Sequence, residues 1–275
     1  MADRPPPGHS PHELLELMST LSAPAITQAV AALQVPSGSA GLDAGCGTGR
    51  SVDLLLDHIG PSGRLTALDI SEENLAWARS PRGQEAAVDW VLGDIRKLPF
   101  EDASFDWVWC SDTLWPGAVI QDPAPVLTEF RRVLKPEGTV ALVYWSSQTL
   151  LPGYPVLEAK LNEAFVHTVP YLAGISPELH FLRARSWLEE AGFTEPQTST
   201  FLAEIERPQT PENHRALAEC YAMFWGELAE RVDAADWELY RRLSDLDSPE
   251  FIADTPDYYA FLTYTLFQAR VARPR

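Results

Sequence analysis

A doubly wound α/β sheet is the fold class this chain predicts, and three observations predict it. The run Leu42-Asp43-Ala44-Gly45-Cys46-Gly47-Thr48-Gly49 sets three glycines between a short strand and a helical segment. Asp69 follows Gly49 by 20 residues at the close of a second strand-like run, and Gly93-Asp94 closes a third. From Ser39 to Trp145, strand-like and helix-like stretches alternate, which means parallel strands with helices on both faces. In such a sheet a carboxylate at the second strand end can accept from a ribose hydroxyl. The order suits a nucleoside-bearing ligand at the carboxyl ends of the strands.

The spacing narrows the ligand. Dinucleotide sites use G-x-G-x-x-G with a pyrophosphate at the helix start. Here the glycines read Gly45-x-Gly47-x-Gly49, and Asp43 stands just before them. A carboxylate repels a pyrophosphate but attracts the ammonium of an amino-acid tail. That favours S-adenosylmethionine (SAM) over NAD.

Each element has its own signal. Helical spacing through His12, Leu14, Leu15, Met18 and Leu21 gives one amino-terminal helix, and Ile26, Val30 and Leu33 give a second, ending at Pro36-Ser37-Gly38. The core then predicts helix 51–59, strand 64–70, helix 72–79, strand 87–92 and strand 107–110. Helix 123–134 follows, with Asp122 as N-cap and Pro123 at the first helical position. Its Val126, Leu127, Phe130, Val133 and Leu134 recur at helical period. Thr139–Trp145 reads as a buried strand. Beyond it come an irregular, Pro- and Gly-rich stretch with a helix at 156–165, a strand at 199–206, a helical insertion at 210–248 and a final extended run at 258–272. Residues 1–10, with Pro5-Pro6-Pro7-Gly8, read as a disordered leader. Residues 11–36 form an amino-terminal helical cover, and 37–275 one catalytic domain whose segments 150–176 and 210–248 extend that cover.

The run from Leu42 to about Val143 resembles the class I SAM-dependent methyltransferases, especially the small-molecule branch similar to ubiquinone/menaquinone C-methyltransferases. The resemblance implies a Rossmann-like, seven-stranded, mostly parallel sheet, with the last strand antiparallel at the edge. It implies that Asp43, Gly45 and Gly47 line the methionine end, that Cys46 belongs to the same cofactor-binding run and that Gly49 shapes the turn. Asp69 would hold the ribose hydroxyls, with Ile70 against the adenine. Asp94 would accept from the adenine amino group, with Ile95 flanking the ring. Cys110, Ser111 and Trp115 belong to a fourth-strand motif that passes beside the sulfonium. Arg131–Gly138 looks like the helix exit and turn before the fifth strand, and Trp187–Phe193 like the helix end before the sixth. Two features depart from the family: Ser39-Ala40-Gly41-Leu42 is poor in bulky apolar residues, and Trp115 stands where relatives often carry histidine.

Composition bounds the partners. A formal net charge of −18 at pH 7 argues against a nucleic-acid acceptor or an anionic membrane surface. No apolar run reaches the ~18 residues of a membrane span, and no signal peptide is visible. Cys46, Cys110 and Cys220 lie far apart, which suits a reduced cytoplasm and gives no metal pattern. The expectation is a cytoplasmic enzyme, monomer or homodimer, acting on a small apolar or aromatic metabolite and releasing S-adenosylhomocysteine.

Methyl transfer from a sulfonium is an in-line displacement that asks mainly for alignment and exclusion of water. A general base helps only where the acceptor loses a proton. Asp112, just past the fourth strand, is a candidate, although Asp there equally serves as a turn cap. His167 and His180 have a suitable intrinsic pKa but read as well as surface or packing residues. Tyr144 is a further candidate, with packing as its alternative role. Trp115, Trp145, Tyr171, Tyr221 and Trp225 fall in cover or strand-end regions and offer faces for a flat acceptor; Tyr221 and Trp225 fit a core stripe equally well. Two other classes remain: aminopropyl- or carboxypropyl-type transfer on the same fold, and a SAM-binding protein without catalysis.

Overall fold

The computed structural model describes residues 10–81, 88–118, 120–169, 172–207 and 209–273. Most of the expected leader, the first residue of the strand expected at 87–92, and Tyr171 lie outside these residues. In chain order the elements are α1 (Pro11–Ala32), β1 (Ala40–Ala44), α2 (Val52–Ile59), β2 (Arg64–Asp69), α3 (Glu72–Arg79), β3 (Val88–Leu92), β4 (Phe105–Ser111), α4 (Ala124–Val133), β5 (Leu134–Thr149), α5 (Pro155–Val166), α6 (Ala184–Glu190), β6 (Phe193–Glu206), α7 (Pro211–Trp225), α8 (Ala234–Ser244) and β7 (Tyr259–Val271). The chain divides into two compact units: Met1–Ala25, Ser147–Gly174 and Leu202–Thr263 in one, and Ile26–Ser146, Ile175–Phe201 and Tyr264–Arg275 in the other.

The seven strands lie in the order β3-β2-β1-β4-β5-β7-β6. Pairings β1–β2, β2–β3, β1–β4 and β4–β5 are all parallel. Strand order reverses at β1, between β2 and β4, and the crevice past that switch point is where such sheets bind ligands. One expectation is corrected here. The last strand, β7, is not at the edge; it lies between β5 and β6, and β6 holds the edge. The burial patterns give the reason. Tyr264 to Phe267 of β7 are all buried, whereas Gln197–Thr200 of β6 are exposed. Direction follows from side-chain pairs: Thr200 meets Thr265 and Thr194 meets the carbonyl of Arg270, so β7 runs antiparallel to β6.

Small and large residues interlock between β1 and β4. Gly41 pairs with Trp107, and a Cβ on Gly41 would lie 1.9 Å from the indole ring. The indole N–H donates to Ser39 Oγ at 3.0 Å. The scarcity of bulky residues in the first strand therefore makes room for Trp107, which is fully buried. Asp106 ties the same edge, accepting from Ala40 N and from Lys135 Nζ, each at 2.8 Å.

Three further differences from the sequence reading have local causes. The two amino-terminal helices are one helix that continues through Pro24, and the boundary between the units follows one residue later. It opens with a reciprocal cap: Ser10 N donates to Glu13 Oε2 at 2.7 Å and Glu13 N to Ser10 Oγ at 3.2 Å. Helix α4 starts at Ala124 with Pro123 at the cap position, while Asp122 accepts the Ala124 N–H at 2.9 Å. The fifth strand begins at Leu134, earlier than expected, because Leu134 already pairs with Phe105; the turn sequence is accommodated as an irregularity before Thr139 pairs with Trp107, with Glu137 at φ +64°.

The unit containing α7 and α8 has its own aromatic and polar core. Tyr221 and Trp225, which the sequence left between substrate wall and core, are fully buried. The Tyr221 and Tyr258 hydroxyls lie 2.9 Å apart, Tyr258 donates to the Leu150 carbonyl at 3.2 Å, and Trp225 Nε1 donates to Asn162 Oδ1 at 3.1 Å. Glu158, also buried, accepts the backbone N–H groups of Leu150 at 2.8 Å and Leu151 at 3.2 Å.

Two predictions follow from this packing. Gly41→Val forces the Trp107 ring to move and costs about 1–3 kcal/mol of unfolding free energy by urea titration; a neutral result would show that the β1–β4 interlock is not tight. For Glu158, burial pushes the carboxyl pKa above 4.5 against the pull of its two N–H donors. A raised folded-state value means that its contribution is full below the unfolded pKa and is lost as pH rises through the folded one. The stability of wild type minus that of Glu158→Gln should thus fall as pH rises above the ordinary glutamate range near 4.5. A difference that stays flat or rises there contradicts this assignment.

Candidate active site

The glycine turn leaves β1 at the switch point and is held from both neighbouring strands. From the β2 side, Gly45 N and Cys46 N both donate to the Leu68 carbonyl, at 2.7 and 2.9 Å. Asp69 Oδ2 accepts Gly47 N at 2.8 Å, while its Oδ1 accepts Ser71 N at 2.9 Å and Asn74 Nδ2 at 3.0 Å. From the β4 side, Thr113 Oγ1 donates to the Gly45 carbonyl at 3.0 Å. Thr113 was not singled out from the sequence. Its signal is steric as well as polar: a Cβ on Gly45 would lie 2.3 Å from Thr113 Cγ2. Gly45, Gly47 and Gly49 have φ of +84°, +54° and +80°, so each needs the left-handed conformation that glycine adopts freely.

Gly47 differs from Gly45 in what it faces. A Cβ there would meet nothing within 4 Å. The turn thus presents bare backbone to open space, the shape a closely approaching ligand requires. Asp43, at the end of β1, is buried with 2% of its surface exposed, and Asp69 with 7%. At the end of β4, Ser111 Oγ is buried and has no hydrogen-bond partner among the described residues. A bare turn with carboxylates beside it fits a ligand carrying an ammonium and vicinal hydroxyls, and fits a pyrophosphate poorly.

The other expected cofactor residues fall in different settings. Asp94 follows β3 and is gripped by its neighbour: Arg96 Nε lies 2.9 and 3.0 Å from the two carboxylate oxygens and Arg96 Nη2 2.6 Å from Oδ2. The Arg96 side chain holds this carboxyl below its usual range. Ile95 is buried, whereas Ile70 is 64% exposed beyond β2. Cys46 and Cys110 are both buried, and burial pushes the Cys110 thiol up, so it stays protonated. Trp115, half-buried, meets Phe181 edge-on at 4.7 Å and Tyr144 at 5.3 Å, and His180 stacks on Phe181 at 4.5 Å.

The four candidate bases are each engaged. Asp112 Oδ2 is 2.8 Å from Arg50 Nη2, and its Oδ1 accepts the Trp145 N–H at 2.9 Å. Its backbone sits at φ +48°, which aims the carboxylate back at both partners. Tyr144 is buried, donates to the Leu114 carbonyl at 3.1 Å, and burial raises its pKa well above 10. His167, at the carboxyl end of α5, is exposed and sits 3.1 Å from Glu163 Oε1 one helical turn back. His180 uses Nδ1 to accept from Leu182 N at 3.3 Å, and burial lowers its pKa. Sequence reasoning missed Arg50. It directly follows the glycine run, but only the fold brings Asp112 to it. Among the described residues no group of three His, Cys, Asp or Glu is placed to hold a metal ion, and no helix is long and apolar enough to cross a membrane.

Fold and site together define a Rossmann-like α/β protein with open backbone at the switch point, and known proteins that it resembles share that fold. Residues 42–142 match the family model described as a methyltransferase domain. Over 165 residues the chain is 32% identical to the demethylmenaquinone methyltransferase of Staphylococcus aureus, an alignment covering 59% of this chain and 64% of that one. The chain spans less than two thirds of the length of the curated relatives compared, down to 36% for a protein of transposon TN4556 in Streptomyces fradiae. A Bacillus halodurans crystal structure described as a methyltransferase superposes with a TM-score of 0.55 at 19% identity, covering 90% of this chain and 98% of that one. The [4+2]-cyclase SpnF superposes with a TM-score of 0.50 at 20% identity, covering 94% and 81%.

Gly47→Ala tests the bare turn. The added methyl meets no protein atom but occupies the open space and costs about 1 kcal/mol in a left-handed backbone. The expected outcome is a folded protein whose SAM affinity, read by calorimetry, is clearly reduced. Undiminished affinity would remove the turn from the binding site.

Proposed function

We propose that this protein transfers a methyl group from SAM to a small, flat metabolite, with a quinone-like C- or O-acceptor as first choice. The observation that carries the reading is the glycine turn at the switch point, bare at Gly47 and flanked by the Asp43 and Asp69 carboxylates. The match of residues 42–142 to a methyltransferase domain supports the reaction class. The demethylmenaquinone methyltransferase relative supports the acceptor class, as does the aromatic group of Trp115, Tyr144 and Phe181.

In this reading Asp43 attracts the ammonium of the cofactor's tail, and Asp69 takes a ribose hydroxyl on the lone pair its three N–H donors leave over. Asp94 accepts from the adenine amino group beside its Arg96 partner, between Ile70 and Ile95. Cys110 and Ser111 form the floor at the end of β4, with Trp115 as the wall nearest the transferred methyl. SAM supplies an activated methyl on a sulfonium, a good leaving group. The protein's share is alignment and exclusion of water. Asp112, Tyr144 and His167 orient or pack, since each already has a hydrogen-bond partner. The helical segments 11–36, 150–176 and 210–248 select the acceptor, as additions to a scaffold commonly do. The cytoplasm, and a monomer or homodimer, suit this role.

Calorimetric titration with SAM, S-adenosylhomocysteine and NAD tests the reading. Micromolar affinity for the first two and none for NAD is the expected result. The next step incubates the protein with SAM, and in parallel with decarboxylated SAM, and a series of naphthohydroquinones and weighs the products, which separates methyl from aminocarboxypropyl or aminopropyl transfer. A folded protein that gives no heat with SAM or its product would overturn the proposal.

A further inference from the structure

The cofactor reading leaves one half of the ligand without a partner. An amino-acid tail is zwitterionic, and the groups assigned to it so far are carboxylates, which draw its ammonium and repel its carboxylate. The chain as a whole is also strongly acidic, at −18. A cation is therefore needed close to the glycine turn.

Arg50 is that cation. It follows Gly49 directly, and its side chain is 26% exposed, so a ligand can reach it. A guanidinium has five N–H donors in a planar fork. Asp112 takes one from Nη2 at 2.8 Å; Nη1 reaches the Tyr264 hydroxyl only at 3.4 Å, with the guanidinium carbon 5.8 Å from that ring. Most of the fork is left over. Arg96, the other arginine in the candidate site, spends its Nε and Nη2 on Asp94.

A purely structural role accounts poorly for this pair. The link between the glycine turn and the end of β4 is already made by Thr113 on Gly45. Half-exposed ion pairs stabilise little. Yet Asp112 is held at φ +48°, a conformation costly for a residue with a Cβ. The strain aims its carboxylate at Arg50 while the Trp145 N–H fixes the other oxygen. Asp112 and Tyr264 together keep the guanidinium beside the turn.

We propose that Arg50 anchors the carboxylate of the cofactor's amino-acid tail and that Asp112 is the residue positioning it. This deepens the SAM-binding reading and rests on it. It assigns the two ends of the zwitterion to separate groups, the ammonium to Asp43 and the carboxylate to Arg50.

The test compares SAM with decarboxylated SAM, which lacks only that carboxylate, by calorimetry on the full chain. Wild type should prefer SAM by about tenfold or more, the value of a charge-assisted hydrogen bond lost. Arg50→Gln should bring the two affinities together by weakening SAM alone, and Arg50→Lys should restore part of the preference. Thermal unfolding of each variant checks that it is folded. Equal affinities in wild type, or a preference that survives in Arg50→Gln, overturn the anchor while leaving SAM binding intact. A loss of both affinities by the same factor would mark Arg50 as structural and equally overturn it. Failure of wild type to bind SAM at all would remove the underlying reading itself.

Discussion

The carboxylate of Asp69 is the interaction on which the site depends. It gathers three N–H groups from three places: the glycine turn after β1, the start of α3 and the Asn74 side chain. Bonds from N–H groups to an ionised carboxylate are roughly twice as strong as neutral ones. This one joins the exits of two neighbouring strands, so β1 and β2 end at one level and the turn cannot swing away. A carboxylate offers about four lone-pair positions, and three are in use. Asp69 is therefore the brace of the turn, and its carboxylate keeps a further lone-pair position beyond these three.

The opposite side of the turn is braced by shape. Gly41 yields its space to Trp107, and Gly45 yields its space to Thr113, so side chains of β4 and of the segment after it fill room that β1 and the turn leave open. Glycine here has two distinct uses. Gly41 and Gly45 admit a neighbouring side chain of the protein, whereas Gly47 admits nothing the protein itself supplies. Only the second kind leaves room that no described side chain fills. A turn fixed by hydrogen bonds on one flank and by packing on the other loses little further freedom when something binds, which is the thermodynamic sense of a preformed site.

The legible part of the sequence was the part decided locally. Strands β1 to β4, helices α2 to α4 and the glycine run follow from periodicity, caps and turn residues that lie within a few positions of one another. The resemblance extended this to the seven-strand count. What escaped was settled at long range. Nothing near residues 259–271 says that this strand enters between β5 and β6; that follows from neighbours on both sides. The continuation of α1 through Pro24 likewise runs against a local rule. Arg50 and Asp112 stand 62 positions apart, and each alone reads as an ordinary loop residue. The weak first strand looked like a defect until Trp107, from a different element, was seen to need the room.

The same contacts bear on which chemistry the site can support. A general base must be able to receive a proton, yet Asp112 is held by Arg50 and Trp145, Tyr144 donates to Leu114 under a raised pKa, and the Cys110 thiol is kept neutral by burial. Tyr144 and Cys110 would first have to lose protons that burial holds on them, and Asp112 could take one only beside the two donors that fix it at the end of β4. The methyl displacement itself makes no such demand, because the sulfonium brings its own leaving group; a hydroxyl or ring acceptor still gives up a proton, which an acceptor that arrives ionised has already lost. The fold by itself does not choose, since a [4+2]-cyclase shares it at a TM-score of 0.50. A rigid turn whose titratable neighbours are occupied with structure is suited to placing reactants more than to moving protons.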